Sequence, residues 1–150
     1  MKKVLLVIFC LVYSFSSSAQ TGETDAIKAT INGLFDAMRK GDSTELRRAF
    51  APKSILQTIV KRNGVTEVRS ESPDSFIKAI GTPHEKVYDE RITFDNILLD
   101  GNLASVWTSY QFYLGDQFSH CGVNSFQLVK LSEGWKVVHL IDTRRKDNCN

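Results

Sequence analysis

KVYDERITFDNILLDGNLASVWTSYQFYLGDQFSHCGVNSFQLVKLSEGWKVVHLIDT, residues 86–143, decides the fold. Apolar and polar side chains alternate along it in four runs, the period of strands with two distinct faces. Asp100-Gly101, Gly115-Asp116 and Glu133-Gly134 separate the runs and suit two-residue hairpin loops. The stretch predicts a four-stranded antiparallel meander. Such loops place Leu99 opposite Asn102, Leu114 opposite Gln117 and Ser132 opposite Trp135.

Alternation then sorts the side chains into two faces. One collects Tyr88, Glu90, Ile92 and Phe94 from the first strand, and Trp107, Ser109, Gln111 and Tyr113 from the second. The third strand adds Phe118, His120, Asn124, Phe126 and Leu128, and the fourth Trp135, Val137, His139 and Ile141. This face is the more aromatic and is expected to be the covered one. The other face carries Val106, Tyr110, Phe112, Val123, Val138 and Leu140. That is an apolar patch unusual for a monomer, and it predicts a homodimer interface.

Upstream segments supply the cover. Ile27, Ile31, Leu34, Phe35 and Met38 recur at helical spacing within residues 24–40, before Gly41. Asp42 and Glu45 have the spacing of a capping box for a short second helix bearing Leu46, Ala49 and Phe50, which Pro52 stops. Asn63-Gly64 marks a hairpin between residues 54–60 and 65–70. Pro73 opens a third helix over residues 74–80.

Further out, Lys2-Lys3, an apolar run over residues 4–13 and small residues through Ala19 read as an export leader cut before Gln20. The domain division is therefore a leader over 1–19 and one domain over 20–150, exported to a periplasmic or extracellular compartment with no stable membrane insertion after cleavage. The leader holds two of the 19 basic residues and no acid, which leaves 17 basic against 17 acidic. That balance gives no electrostatic case for nucleic acid. Cys121 and Cys149 remain, and an oxidising compartment favours a bond between them, two free thiols being the alternative.

A long helix, a short capped helix, a hairpin, another short helix and a curved meander together resemble the nuclear transport factor 2-like superfamily. The likeness is to its secreted SnoaL-like and lumazine-binding-like members. The junction Gly41-Asp42, Leu46 and Phe50-Ala51-Pro52 and the closing strand Gly134-Trp135-Lys136-Val137-Val138-His139 carry it. The resemblance implies an α+β cone-shaped barrel, a pocket between sheet and first helix, and dimerisation through the sheet. It spans catalysts and non-catalytic binders, so it does not decide activity. The ketosteroid isomerase branch pairs a general-base Asp with a Tyr and a protonated acid. The first helix here has Phe35 and Met38 on its inner stripe and no Tyr, so that pattern is not matched.

Chemistry is then expected in one row. The predicted register puts Glu90, Gln111 and His120 side by side on three strands, either as a satisfied polar network or as a carboxylate–histidine pair for proton transfer. His139, between Val137 and Ile141, reads as a packed histidine or a ligand contact. His84 reads as a pocket-rim loop residue. No histidine or cysteine spacing suggests a metal, and no cofactor motif appears. The expected function is binding of a small hydrophobic or aromatic ligand among Phe94, Trp107, Tyr113, Phe126 and Trp135, with Glu90, Gln111, His120 and Asn124 as polar anchors. One alternative is a cofactor-independent lyase or isomerase using His120 with Glu90. Another is an interaction module working through its outer face.

Overall fold

A computed structural model describes residues 2–149, with side chains from residue 20 onward. The leader reading rests on residues 1–19, whose side chains lie outside the described residues. Helix α1 (Lys2–Lys40) contains the predicted amphipathic segment. Ile27, Ile31, Leu34, Phe35 and Met38 are all buried, a gain of about 1.5–3 kcal/mol each. Gly41 ends the helix at φ 67°, which favours glycine. The Gly41 amide donates to the Met38 carbonyl and the Asp42 amide to the Ala37 carbonyl, closing the last turn.

Asp42 caps α2 (Ser43–Arg48) by accepting from the Thr44 and Glu45 amides, each at 3.0 Å. The reciprocal half of the box does not form, because Glu45 turns to Arg48 at 2.7 Å. Ser72 caps α3 (Pro73–Gly81), with Pro73 in its first turn. The strands are β1 (Phe50–Arg62), β2 (Val65–Glu71), β3 (Tyr88–Asp100), β4 (Leu103–Leu114), β5 (Gln117–Leu131) and β6 (Gly134–Thr143).

The four-strand meander is present, but the sheet is larger and mixed. Its order is β2-β1-β6-β5-β4-β3, with β1 parallel to β6 and every other pair antiparallel. The hairpin expected to cover one face instead extends the sheet. This curved, open α+β arrangement has α1 across its concave side, where Phe35 meets Phe126 edge-on at 6.1 Å.

Three single-residue bulges overturn the predicted facing of β4 and half of β6. The first lies at Asp95, between the Phe94–Thr108 and Asn96–Trp107 pairs. The second lies at Ser119, between Phe112–His120 and Tyr113–Phe118. The third lies at Val138, between Gln127–His139 and Leu128–Val137. Each extra residue reverses the alternation beyond it and bends the strand. The first two leave β4 inverted, together with Phe118 at the start of β5, which pairs Tyr113 on the convex face, while the rest of β5 keeps its predicted facing. Two loops also sit one residue away from the expected position: Asp100 pairs Leu103 around Gly101-Asn102, and Leu131 pairs Gly134 around Ser132-Glu133. Leu114 opposite Gln117 is as expected.

Cys121 and Cys149 form a disulfide, with Cα atoms 5.7 Å apart. Cys121 and Arg145 exchange two backbone hydrogen bonds of 2.9 Å, so the tail is paired to β5 before the bond closes it.

Candidate functional site

Between the concave sheet face, α1 and α3 lies a cavity of about 280 Å³. Leu34, Phe35 and Met38 from α1 and Phe76 and Ile80 from α3 form its apolar roof. Exposed Glu71 and Arg144 mark its mouth. The floor is a polar row across four neighbouring strands, because Thr58 pairs Asp142, Asp142 pairs Asn124, and Asn124 pairs Thr108. The flanking row is apolar: Leu56, Leu140, Phe126 and Val106 pair in the same succession.

Every member of the polar row is bonded. Thr58 donates to Asp142 Oδ1 at 2.6 Å, and the Arg144 Nε donates to Asp142 Oδ2 at 3.0 Å. Asn124 Nδ2 donates to Glu90 Oε1 at 2.8 Å and to Thr108 Oγ1 at 3.3 Å. Tyr110 donates to the Thr143 carbonyl at 2.8 Å, and its hydroxyl stands 3.3 Å from Asp142 Oδ2. Gly122 makes that reach possible. A Cβ there would lie 1.8 Å from the Thr143 oxygen and 2.7 Å from the Tyr110 ring.

Burial governs the titration of this floor. It pushes the Glu90 carboxyl up to about 7, and the Asp142 charge adds to the effect while the Asn124 bond opposes it. Burial also drives the Tyr110 phenol well above its ordinary range. His120 is held below the usual imidazole value, first by burial and then by the Arg144 charge. Its Nδ1 lies 3.0 Å from Ser119 Oγ, and its ring lies 4.9 Å from that of Phe112.

Glu90, His120 and Asn124 do share the cavity. The predicted row, however, runs Glu90–Phe112–His120 rather than through Gln111. A phenyl ring therefore separates carboxylate from imidazole, and no hydrogen bond joins them. Gln111 pairs Arg91 and Cys121 on the convex face and accepts from Tyr113 at 3.0 Å. Tyr113 is on that face too, with the Arg91 guanidinium 4.0 Å from its ring centroid. Trp107 is 49% exposed there.

Phe94 packs at the edge of the core beneath Lys28, and Phe126 is wholly buried in the apolar row beside the polar floor, against Phe35. Trp135 is buried against α1, donating to Glu23 at 2.9 Å. His139 faces away from the cavity, 3.1 Å from Gln57 Oε1, because the Val138 bulge turns it. His84 lies outside the cavity wall, stacked on Tyr88 at 4.2 Å. Thr58, Tyr110, Phe112, Asp142 and Arg144 were not expected in the cavity. The available signal was Gly122, a mid-strand glycine that marks a close approach by a neighbour.

Residues 22–140 match the family described as "putative lumazine-binding", and the chain belongs to it. Solved structures agree on the fold. A nuclear transport factor 2-like protein with a cystatin-like fold from Novosphingobium aromaticivorans is 9% identical, with TM-score 0.70 over 89% of this chain and 88% of that one. A nuclear transport factor 2-like protein of unknown function from Shewanella baltica is 18% identical, with TM-score 0.65 over 85% and 97%. A domain of unknown function with a cystatin-like fold from Nostoc punctiforme is 18% identical, with TM-score 0.65 over 85% and 80%. None of the curated proteins compared with the chain matches it. At such identities the likeness is one of fold, the nuclear transport factor 2-like fold.

Proposed function

We propose that this protein is an exported small-molecule-binding domain whose ligand occupies the cavity between the concave sheet face, α1 and α3. One observation carries the reading: an apolar chamber is floored by a polar row, the composition of a site that takes an apolar body and orients it by a few fixed groups. The family's description, which names lumazine, is in keeping with a small ring-bearing ligand. The disulfide supports export, since such bonds persist in oxidising compartments. Intact mass of the protein from its own host tests the leader, with loss of residues 1–19 expected.

Native mass spectrometry of the same material tests binding. A bound small molecule, or uptake of added lumazine, should be present in the wild type and lost in Asn124→Ala. Bare protein under both conditions would count against the reading. Homodimerisation through the convex face belongs to the same proposal. Its apolar members are not those expected from the sequence, since Val106, Tyr110, Phe112 and Leu140 face the concave side. Leu98, Leu103 and Trp107 are exposed on the convex side instead.

A second reading rests on Glu90, whose buried carboxyl near 7 is suited to exchange a proton with a ligand in the cavity. Phe112 between Glu90 and His120 removes the paired form of that mechanism, leaving Glu90 to act alone. A recovered ligand that keeps its NMR spectrum and takes up no deuterium after prolonged incubation in D2O would argue against it.

A further inference from the structure

The strand floor of the cavity leaves two acceptors unfilled, while the donors of His120 and Arg144 stand at its sides. Asn124 Nδ2 already donates to Glu90 and Thr108. The carboxylate fixes this amide orientation, because a flip would set two oxygens against each other. Among the described residues, nothing donates to Asn124 Oδ1 or to Glu90 Oε2. Tyr110 directs its proton to the Thr143 carbonyl, away from any ligand. The Arg144 guanidinium, at the exposed mouth, gives one N–H to Asp142 at 3.0 Å and one to Thr58 at 3.3 Å.

The walls complement such a floor. Tyr88 and Phe112 line the cavity with ring centroids 6.2 Å apart, and Phe35 lies on the α1 side. His84 stacks on the far side of Tyr88 and helps hold that ring in place. Aromatic faces attract cations, and more strongly where water is excluded. Two unfilled acceptors, one of them on a buried carboxyl, and several rings share one requirement: a ligand bearing N–H donors and positive charge.

Resting on the proposed binding role, we infer that the ligand is an organic cation: a small apolar or aromatic body carrying a protonated amine or amidine. Its N–H groups bond Glu90 Oε2 and Asn124 Oδ1, and its body packs against Tyr88, Phe112 and Phe35. An anionic ligand would find its counter-charge only on the exposed Arg144 at the mouth and would meet the Glu90 and Asp142 carboxyls inside. A neutral ligand could satisfy the acceptors but would gain nothing from the carboxylate charge.

The test uses three probes of one size and shape, namely benzylamine, benzyl alcohol and benzoate. Each is titrated into the isotopically labelled protein while the Asn124 side-chain amide and the cavity backbone amides are followed by NMR. Benzylamine is expected to shift these signals and to bind about tenfold more tightly than either other probe. Glu90→Gln, which keeps the side-chain shape, should abolish that preference, and its own spectrum shows whether it folds. Benzyl alcohol or benzoate binding as well as benzylamine, or an unaltered preference in Glu90→Gln, overturns the cationic assignment and leaves the binding role standing. Silence from all three probes across cavity signals would overturn both.

Discussion

A carboxyl enclosed by Phe112, Asn124 and the Asp142 charge is harder to ionise than one in water. For Glu90 the consequence is a measurable pH dependence of stability. Its folded-state value lies near 7, above the ordinary 4.5, so the folded protein holds this proton more tightly than the unfolded chain. Stability from this group is fully present below about 4.5 and is lost as pH rises towards 7. His120 acts in the opposite sense: its value is depressed, so its contribution is lost as pH falls through the usual imidazole range. Comparing Glu90→Gln with wild type isolates the carboxyl. The variant should gain relative stability between pH 4.5 and 7, by roughly 3.5 kcal/mol at most, and the gain should level off above. Urea unfolding at several pH values measures it, and a pH-independent difference would contradict the burial argument. Gly122→Ala makes a sharper demand. Its Cβ would meet the Thr143 carbonyl and the Tyr110 ring, so a loss above about 4 kcal/mol or failure to fold is expected.

Elements show which parts of this structure could be read directly. The apolar stripe of α1, the Asp42 cap, Pro73 and Asn63-Gly64 act within a few residues of themselves, so composition and spacing revealed them. Asp42→Ala should cost about 1 kcal/mol, measured by thermal or chemical unfolding, because two amides lose their acceptor. The disulfide was also legible, from two cysteines and an expected compartment. Reduction or Cys149→Ser should cost roughly 3 kcal/mol, the loop-closure value for 28 residues. Bulges were not legible, because tucking one residue out of a ladder depends on both strands and on the curvature that packing over α1 demands. Asp95 and Ser119 look like ordinary strand residues, yet between them they move Trp107, Gln111 and Tyr113 outward and Thr108, Tyr110 and Phe112 inward. Candidate residues on β3 and β5 therefore held their places, while every candidate on β4 changed sides. Arg144 was read as a solvated tail because nothing local shows that Asp142 and Thr58 fold it back over the cavity mouth.

The same inversion changes which surface could join two copies of the molecule. Leu98, Leu103 and Trp107 stand 62%, 48% and 49% exposed at one end of the convex face, beyond the Asp95 bulge. A large indole left half in water is a strong candidate for an interface anchor, since burying it removes much apolar area at little entropic cost. The protein has two tryptophans, and Trp135 is already 4% exposed against α1. Emission changes on association should therefore come almost wholly from Trp107. If the convex face pairs, raising the concentration should shift emission to shorter wavelength in step with a doubling of mass by light scattering. Trp107→Ser should abolish the shift and hold the protein at the mass of one chain, with the cavity amides unmoved because Trp107 lies on the other side of the sheet. An unshifted spectrum at a single-chain mass across micromolar concentrations would remove the convex face as a dimer interface.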